Sequence, residues 1–210
     1  MRIDSYKVLF WDFDGVIKES LDVKTEAFVK LFEEYGAEIT ERVRTHHLEN
    51  GGMSRFDKFP IYARWAGKDL SKEQVEEFSG RFSSLAFQGV LNSDWVPGVQ
   101  EYLRRNRHNQ IFILVSATPH EELLSLLDSL YLADCFYSVF GSPLSKYNAI
   151  AKSLVDLSIP TTDCLMIGDA RADMEAAKAN GIDFLLRRHH SNNMLFASYK
   201  GPSIRDFIGL

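Results

Sequence analysis

Short hydrophobic runs, rich in β-branched and aromatic side chains, recur along the chain. There are five of them, at residues 8–11, 111–115, 135–140, 164–167 and 182–186. The runs are mostly continuous in apolar residues rather than alternating with polar ones, which is typical of strands buried on both faces of a parallel sheet. Helical patterns separate the last four runs. The chain is therefore predicted to adopt an α/β fold around a five-stranded parallel sheet.

Local signals predict where several helices of this sheet region begin and end. Thr118, followed by Pro119 and Glu121, has the pattern of a capping box with proline at the first helical position. The pair Asn180-Gly181 has the pattern of a helix C-terminus. A short closing helix is predicted around residues 203–208.

The interval from residue 18 to residue 92 lacks a convincing strand pattern and is predicted to be helical. Tyr35 ends a run with helical spacing and Gly36 follows as a C-cap, while Ser71 and Gln74 form a capping-box pair. We therefore predict an all-helical cap domain at 18–92, inserted into a catalytic core formed by residues 1–17 and 93–210. The polar stretch 92–98, with its Pro-Gly pair, is predicted to be the hinge back to the core.

Composition narrows the functional classes. The chain has 210 residues, 45% of them hydrophobic, and a formal net charge of -5, so it offers no basic surface for nucleic acid. Since no run approaches the roughly 20 apolar residues of a membrane helix, we expect a cytoplasmic protein. Its oligomeric state, a monomer or a homodimer, is open. Cys135 and Cys164 lie in apolar runs and are predicted to be free thiols.

Two pairs of carboxylates follow predicted strands. Asp12 and Asp14 come after the first strand and precede Gly15, and Asp169 and Asp173 come after the fourth. Oxygen ligands of this kind suit Mg²⁺, and strand ends of an open α/β sheet face the ligand crevice. The alternatives are a turn at Gly15, and a helix start that Asp169 caps and whose dipole Asp173 complements.

Two further polar residues follow predicted strands. Ser116 comes after the second strand and Lys146 after the third. A hydroxyl donor and an ammonium group suit the binding of a phosphoryl group. Each residue alone also fits an ordinary loop or a solvated helix, but four suitable residues at four strand ends are improbable by chance.

The order DFDGV, Ser116, Lys146 and GDARAD resembles the four motifs of the haloacid dehalogenase superfamily, over essentially the whole chain and including the position of the helical cap. The resemblance implies a Rossmann-like core and an Mg²⁺-dependent phosphomonoester hydrolase acting on a small phosphorylated metabolite, a sugar phosphate or a hydroxy-acid phosphate. It implies that Asp12 is the nucleophile that becomes an aspartyl phosphate, and that Asp14 is the general acid and base.

The resemblance also implies the binding residues. Metal ligands are Asp12, the backbone carbonyl of Asp14 and Asp169, while Asp173 completes the metal set or orients Lys146. Substrate-binding positions in the core are Ser116, Ala117 and Lys146. Ala117 and Ala170 replace polar residues that are common at those positions of the family, and neither replacement removes an essential side chain.

Several rival functions remain open. The carboxylate at Asp14 favours phosphate-ester chemistry over the dehalogenase and phosphonatase branches, which lack it. A sugar phosphomutase would use the same aspartates, but β-phosphoglucomutases carry a histidine ten residues after the second aspartate, where this chain has Lys24. A non-catalytic binding protein of the same fold is a further rival, and so is a pyrophosphatase or nucleotidase.

The cap contains one stretch with a candidate substrate residue. The sequence GMSR at 52–55 is similar to a GVSR stretch of β-phosphoglucomutases whose arginine helps to hold a sugar phosphate, so Arg55 is predicted to contact a substrate anion or hydroxyl. A solvated arginine in a glycine-mediated turn is the alternative. The pairs His46/His47 and His189/His190 are not predicted to bind metal because adjacent residues face different ways and no third ligand accompanies them.

Overall fold

A computed structural model of the protein describes residues 2–210. The strands are β1 (Val8–Trp11), β2 (Ile111–Pro119), β3 (Ser138–Ser142), β4 (Cys164–Gly168), β5 (Asp183–Arg187) and β6 (Ser203–Ile204). The helices are α1 (Leu21–Leu31), α2 (Ala37–Glu49), α3 (Arg55–Trp65), α4 (Lys72–Asn92), α5 (Val99–Asn106), α6 (His120–Ser129), α7 (Lys146–Leu157) and α8 (Arg171–Ala179). The predicted α/β class is confirmed.

The six strands form one parallel sheet in the order β3-β2-β1-β4-β5-β6. Consecutive residues of β1 pack on opposite faces: Leu9 and Trp11 join a cluster with residues of α5 and α6, and Val8 and Phe10 join one with residues of α7 and α8. Every residue of β1 is therefore buried, which explains why its sequence is apolar without alternation.

The C-terminal part of the sheet differs from the prediction. Residues 203–208 were expected to form a helix, but Ser203–Ile204 pair with the end of β5 as a sixth strand. The expectation failed because a two-residue edge strand is too short to show a period. The predicted third strand also begins later than expected, since Cys135 lies in a short 3₁₀ turn before β3.

Two predicted helix ends are present in the structure, and one is not. Ser71 and Gln74 form the predicted capping box, and Asn180 with Gly181 ends α8 as predicted. The predicted capping box at Thr118 is wrong, because β2 continues to Pro119 and α6 begins at His120 without a side-chain cap. The Thr118 hydroxyl instead contacts Asp14 and the ammonium group of Lys24.

Helices α1–α4 pack around their own aromatic cluster, which contains Phe28, Phe32, Phe59, Tyr62 and Phe82. Helix α1 ends at Leu31, and a 3₁₀ turn then leads to Gly36, which lies at φ +89°. The insertion is therefore all-helical, as predicted. Its division from the core at 17/18 and 92/93 stays a prediction.

The two connections between the insertion and the sheet run side by side. The Glu19 N–H donates to the Asp94 carbonyl at 2.8 Å, and Lys18 forms isolated bridges with Asp14 and Trp95. Because these hydrogen bonds join the two connections, a movement of the insertion relative to the sheet would bend both connections at once.

Gly98, at the start of α5, offers a test of this packing. It lies at φ +79°, and a Cβ there would sit 2.5 Å from the Phe207 carbonyl carbon, whereas Gly181 at φ +68° has open space around it. We expect Gly98→Ala to lower the free energy of unfolding by about 3 kcal/mol and Gly181→Ala by about 1 kcal/mol, because only Gly98 combines strain with overlap. Urea unfolding followed by tryptophan fluorescence measures both, and equal losses would contradict this explanation.

The two cysteines and the apolar character of the helices can be compared with the sequence predictions. Cys135 and Cys164 are buried free thiols. Among residues 2–210, none of the helices has both the length and the apolar character needed to cross a membrane.

Candidate active site

The predicted site residues meet at the carboxyl edge of the sheet. β1 lies between β2 and β4. Asp12 directly follows β1, Asp169 follows β4, and Ser116 lies in the irregular final part of β2. Strands β2 and β3 lie on one side of β1, and β4 lies on the other side, so the strand order reverses at β1. Open α/β sheets bind ligands at the carboxyl end of such a reversal.

Three carboxylates form the centre of the site. Oxygens of Asp12, Asp169 and Asp173 all lie within 4.8 Å of one another, and all three residues are at most 5% exposed. Burial, together with the neighbouring charge of Asp173, raises the pKa of Asp12 to about 7, and burial also raises the pKa of Asp169 and of Asp173. Positive charge stabilises a buried cluster of like charges, and three carboxylates are a donor set that can hold a hard divalent cation.

Lys146 supplies the positive charge nearest to this cluster. Its Nζ lies 2.7 Å from Asp12 and 2.5 Å from Asp173. Burial alone would lower the pKa of Lys146, but the two carboxylates raise it, so the ammonium group stays charged. Asp173 also accepts a hydrogen bond from the backbone N–H of Ala170 at 3.0 Å, so both of its predicted roles, orienting Lys146 and supporting the start of α8, have a contact in the structure.

The Asp14 side chain lies outside the three-carboxylate cluster and accepts hydrogen bonds from three donors. Ser20 donates to it at 2.6 Å, Lys24 at 2.5 Å and Thr118 at 3.3 Å. Burial by itself would raise the pKa of Asp14, but the Lys24 ammonium and the hydrogen bonds from Ser20 and Thr118 together outweigh it and lower the pKa. The side chain of Asp14 is therefore no part of the metal cluster, and it is ionised when α1 is docked over the sheet.

Gly15 explains how the turn after β1 comes so close to the cluster. It lies at φ +73°, and a Cβ there would sit 2.3 Å from an Asp169 carboxylate oxygen. The turn that was considered as an alternative to a metal site is therefore present, and it lies against a carboxylate of that site.

Ser116, Ala117 and Lys146 lie together in a cavity of about 410 Å³ between the sheet and the loop after α2. The Ser116 Oγ accepts a hydrogen bond from the Thr118 N–H at 3.1 Å. The opposite wall includes Gly52, Met53 and Ser54. The cavity has the size of a small-molecule site.

Arg55 lies in the cap–core contact rather than in this cavity. Its guanidinium is buried and donates to both carboxylate oxygens of Glu122, at 2.7 and 2.9 Å, and to Ser83 at 2.8 Å. Arg55 therefore joins α3 to α6 in this structure, a role the sequence did not indicate. Its predicted contact with substrate stays a prediction.

Other contacts of the site were also missed from sequence. His189 is hydrogen-bonded to an Asp169 carboxylate oxygen at 2.9 Å, and the Asn192 side chain donates to the Asp169 carbonyl at 2.9 Å. The sequence feature that could have indicated His189 and Asn192 is their position in a polar stretch directly after the buried strand β5. The contact between Lys24 and Asp14 had no local signal, since it joins the insertion to the core.

Comparisons with known proteins agree with this geometry. The family described as haloacid dehalogenase-like hydrolase matches residues 8–186. A phosphorylated carbohydrates phosphatase of Thermotoga maritima is 26% identical, over 89% of this chain and 87% of its own length.

Two solved structures with similar folds carry related names. A predicted phosphoglycolate phosphatase from Haemophilus somnus has a TM-score of 0.75 at 18% identity, covering 98% of this chain and 96% of its own. A β-phosphoglucomutase from Clostridium difficile has a TM-score of 0.76 at 17% identity, covering 96% and 92%. The family match spans most of the chain, and the chain therefore belongs to the haloacid dehalogenase-like hydrolases.

Proposed function

We propose that the protein is an Mg²⁺-dependent phosphomonoester hydrolase that acts on a small phosphorylated metabolite, a sugar phosphate or a hydroxy-acid phosphate. The observation that carries this proposal is the contact of Asp12 with Lys146 inside a cluster of three buried carboxylates. A nucleophilic carboxylate, a fixed cation and a metal donor set at one strand end are the parts that phosphoryl transfer needs.

Asp12 is the proposed nucleophile. Its carboxylate oxygen forms a bond to phosphorus while the bond from phosphorus to the ester oxygen breaks, which leaves an aspartyl phosphate. Water then attacks phosphorus and the bond to Asp12 breaks, which releases inorganic phosphate. Lys146 holds the nucleophile and offsets the charge of the phosphoryl group, and Ser116 donates a hydrogen bond to it.

Asp14 is the proposed proton carrier. It protonates the ester oxygen as the alcohol leaves, and it takes a proton from the attacking water in the second step. The first role requires a protonated carboxyl group, whereas contact with Lys24 keeps Asp14 ionised. We infer that Asp14 gains its proton when α1 is displaced or when substrate separates it from Lys24.

The metal site fits Mg²⁺ through Asp12 and Asp169, with Asp173 at the third position. When bound, the cation offsets the negative charges of nucleophile and phosphoryl group so that they can approach. The backbone carbonyl of Asp14 is a further proposed ligand. His189 and Asn192 hold Asp169 in place through hydrogen bonds to its carboxylate and its backbone carbonyl.

Phosphate release from a panel of small phosphomonoesters tests this function. We expect turnover with Mg²⁺ that a chelator abolishes and added Mg²⁺ restores. A sugar phosphomutase would instead convert a hexose 1-phosphate into its isomer with little free phosphate, so both products are measured. Absence of phosphate release from every member, with isomerisation present, would overturn the hydrolase proposal.

The proton-carrier role of Asp14 makes a separate prediction. We expect Asp14→Asn to reduce kcat/KM for an alkyl phosphate by about 10²- to 10⁴-fold, because the leaving alkoxide then receives no proton. The loss in the phosphoryl-transfer step should be much smaller for p-nitrophenyl phosphate, whose leaving group needs little protonation. Single-turnover release of the alcohol measures this step, and equal losses on both substrates would contradict the role.

A further inference from the structure

A second cavity lies beside the first, between the turn after β1 and the aromatic cluster of the cap. Met53 and Ala117 line both cavities, so the two are adjacent. The second cavity measures about 30 Å³, close to the volume of one water-sized group. Its walls carry one carboxylate, Asp14, and four basic side chains, which are Lys24, His47, Arg55 and Lys58.

Of the three lysine and arginine side chains, two are paired with carboxylates and one is not. Lys24 pairs with Asp14 at 2.5 Å, and Arg55 pairs with Glu122 at 2.7 Å. Lys58 is only 1% exposed, and the sole hydrogen bond of its side chain within residues 2–210 joins its Nζ to the Nδ1 of His47 at 2.8 Å. No carboxylate of that described range pairs with Lys58, so its ammonium form has no anionic partner at the cavity.

Burying an ammonium group without an anionic partner costs free energy, and this cost weakens the binding of a proton to Lys58. Burial, reinforced by the charge of Lys24, lowers the pKa of Lys58 to about 7. A buried lysine without an anion usually becomes neutral or is compensated by a ligand. The cavity beside Lys58 is where such a ligand can sit.

His47 adds a second unsatisfied group at the same place. It is 4% exposed, its Nδ1 faces Lys58, and its Nε2 is buried without a hydrogen-bond partner in the described part of the chain. Burial lowers the pKa of His47 well below its ordinary value, so the ring is neutral and can donate one hydrogen bond. Buried polar atoms without partners are rare, and a ligand is one of their explanations.

We propose that Lys58 and His47 form a subsite for a second anionic group of the substrate, so that the preferred substrates are phosphorylated small molecules that also carry a carboxylate or another phosphate. The proposal deepens the proposed function and rests on it. The size of the cavity favours a carboxylate as the second anionic group, because a phosphate group is larger than a carboxylate.

Binding measured in the Asp12→Asn protein with Mg²⁺ tests the subsite independently of turnover. The three probes are 2-hydroxyethyl phosphate, 2-phosphoglycolate and 1,2-ethanediol bisphosphate, which differ in the neutral, carboxylate or phosphate group at the far end. We expect 2-phosphoglycolate to bind at least about tenfold more tightly than the neutral probe at one pH and ionic strength, as a charge-assisted hydrogen bond gives.

Added substitutions locate that preference. Lys58→Met has a similar length and removes the charge, and we expect it to reduce the preference to less than about threefold. His47→Gln is the second variant, and it should also reduce the preference. Lys72→Met, at an exposed lysine of α4, is the matched control and should retain it.

The outcomes separate the subsite from the enzyme activity. Preference for either anionic probe that depends on Lys58 supports the subsite, and the better probe identifies carboxylate or phosphate as the second group. Equal or undetectable binding of all probes, or a preference that survives both Lys58→Met and His47→Gln in folded protein, would overturn it. Failure of the proposed function appears elsewhere, as absence of phosphate release from all three probes by the protein with Asp12 intact.

Discussion

Asp12→Asn is expected to reduce kcat/KM for phosphate release on the order of 10⁴-fold or more. An amide in place of the carboxylate is a poor nucleophile, and the covalent route through Asp12 closes. The substitution conserves shape and removes one of three buried, mutually repelling carboxylates, so the protein should fold. Steady-state phosphate release measures the loss, and thermal unfolding checks the fold.

Asp128→Asn is the control for Asp12→Asn, since Asp128 is an exposed carboxylate on α6. We expect its kcat/KM to stay within about twofold of the unaltered protein, as for most surface substitutions. If Asp12→Asn retained more than a few per cent of the activity in protein free of contaminating phosphatase, Asp12 would not be the nucleophile.

Lys146→Met is the second substitution with a large expected effect, and it acts on both activity and stability. The ammonium group contacts Asp12 and Asp173, which are both buried. Removing one member of a buried ion pair costs about 3–5 kcal/mol, since the remaining charges lose their partner. Activity should fall by about 10³-fold because the phosphoryl group loses a fixed charge.

Lys152→Met is the matched control, because Lys152 lies on the same helix but is exposed, and within residues 2–210 its ion pair is with Asp156. We expect it to change the free energy of unfolding by less than about 0.5 kcal/mol. Chemical denaturation in the presence of a chelator gives the stability difference without contribution from bound metal. Equal stability of the two variants would show that Lys146 does not hold the carboxylate cluster together.

The sequence predicted the part of the site that lies on the sheet. Asp12, Ser116 and Asp169 each follow or end a strand that is buried on both faces, and parallel strands bring their carboxyl ends to one edge. Lys146 was predicted from the same pattern. The family to which these residues point is confirmed by the match over residues 8–186.

The contacts between the insertion and the sheet could not be predicted in this way. Lys24 stands where β-phosphoglucomutases carry a histidine, but the sequence gives no sign of its contacts with Asp14, 10 positions away, and Thr118, 94 positions away. Such contacts depend on how a helical unit docks on the sheet, which helical periodicity does not encode. The sequence predicts a substrate contact for Arg55 but not its ion pair with Glu122, for the same reason.

Short elements at the end of the chain were the other failure. Ser203–Ile204 form an edge strand, and their two residues carry no periodic pattern. Neighbouring β5 supplies the hydrogen bonds that hold them there. Their structure is set by tertiary pairing rather than by local preference.

The most direct test of the account is identification of the covalent intermediate. The protein is mixed with substrate and Mg²⁺, quenched within a single turnover and treated with borohydride, which reduces an acyl phosphate to an alcohol. Mass spectrometry of the peptide that contains Asp12 is expected to show conversion of that side chain to homoserine, absent when substrate is withheld. Phosphate release during the same reaction with Asp12 unmodified, or modification at another carboxylate, would contradict the account.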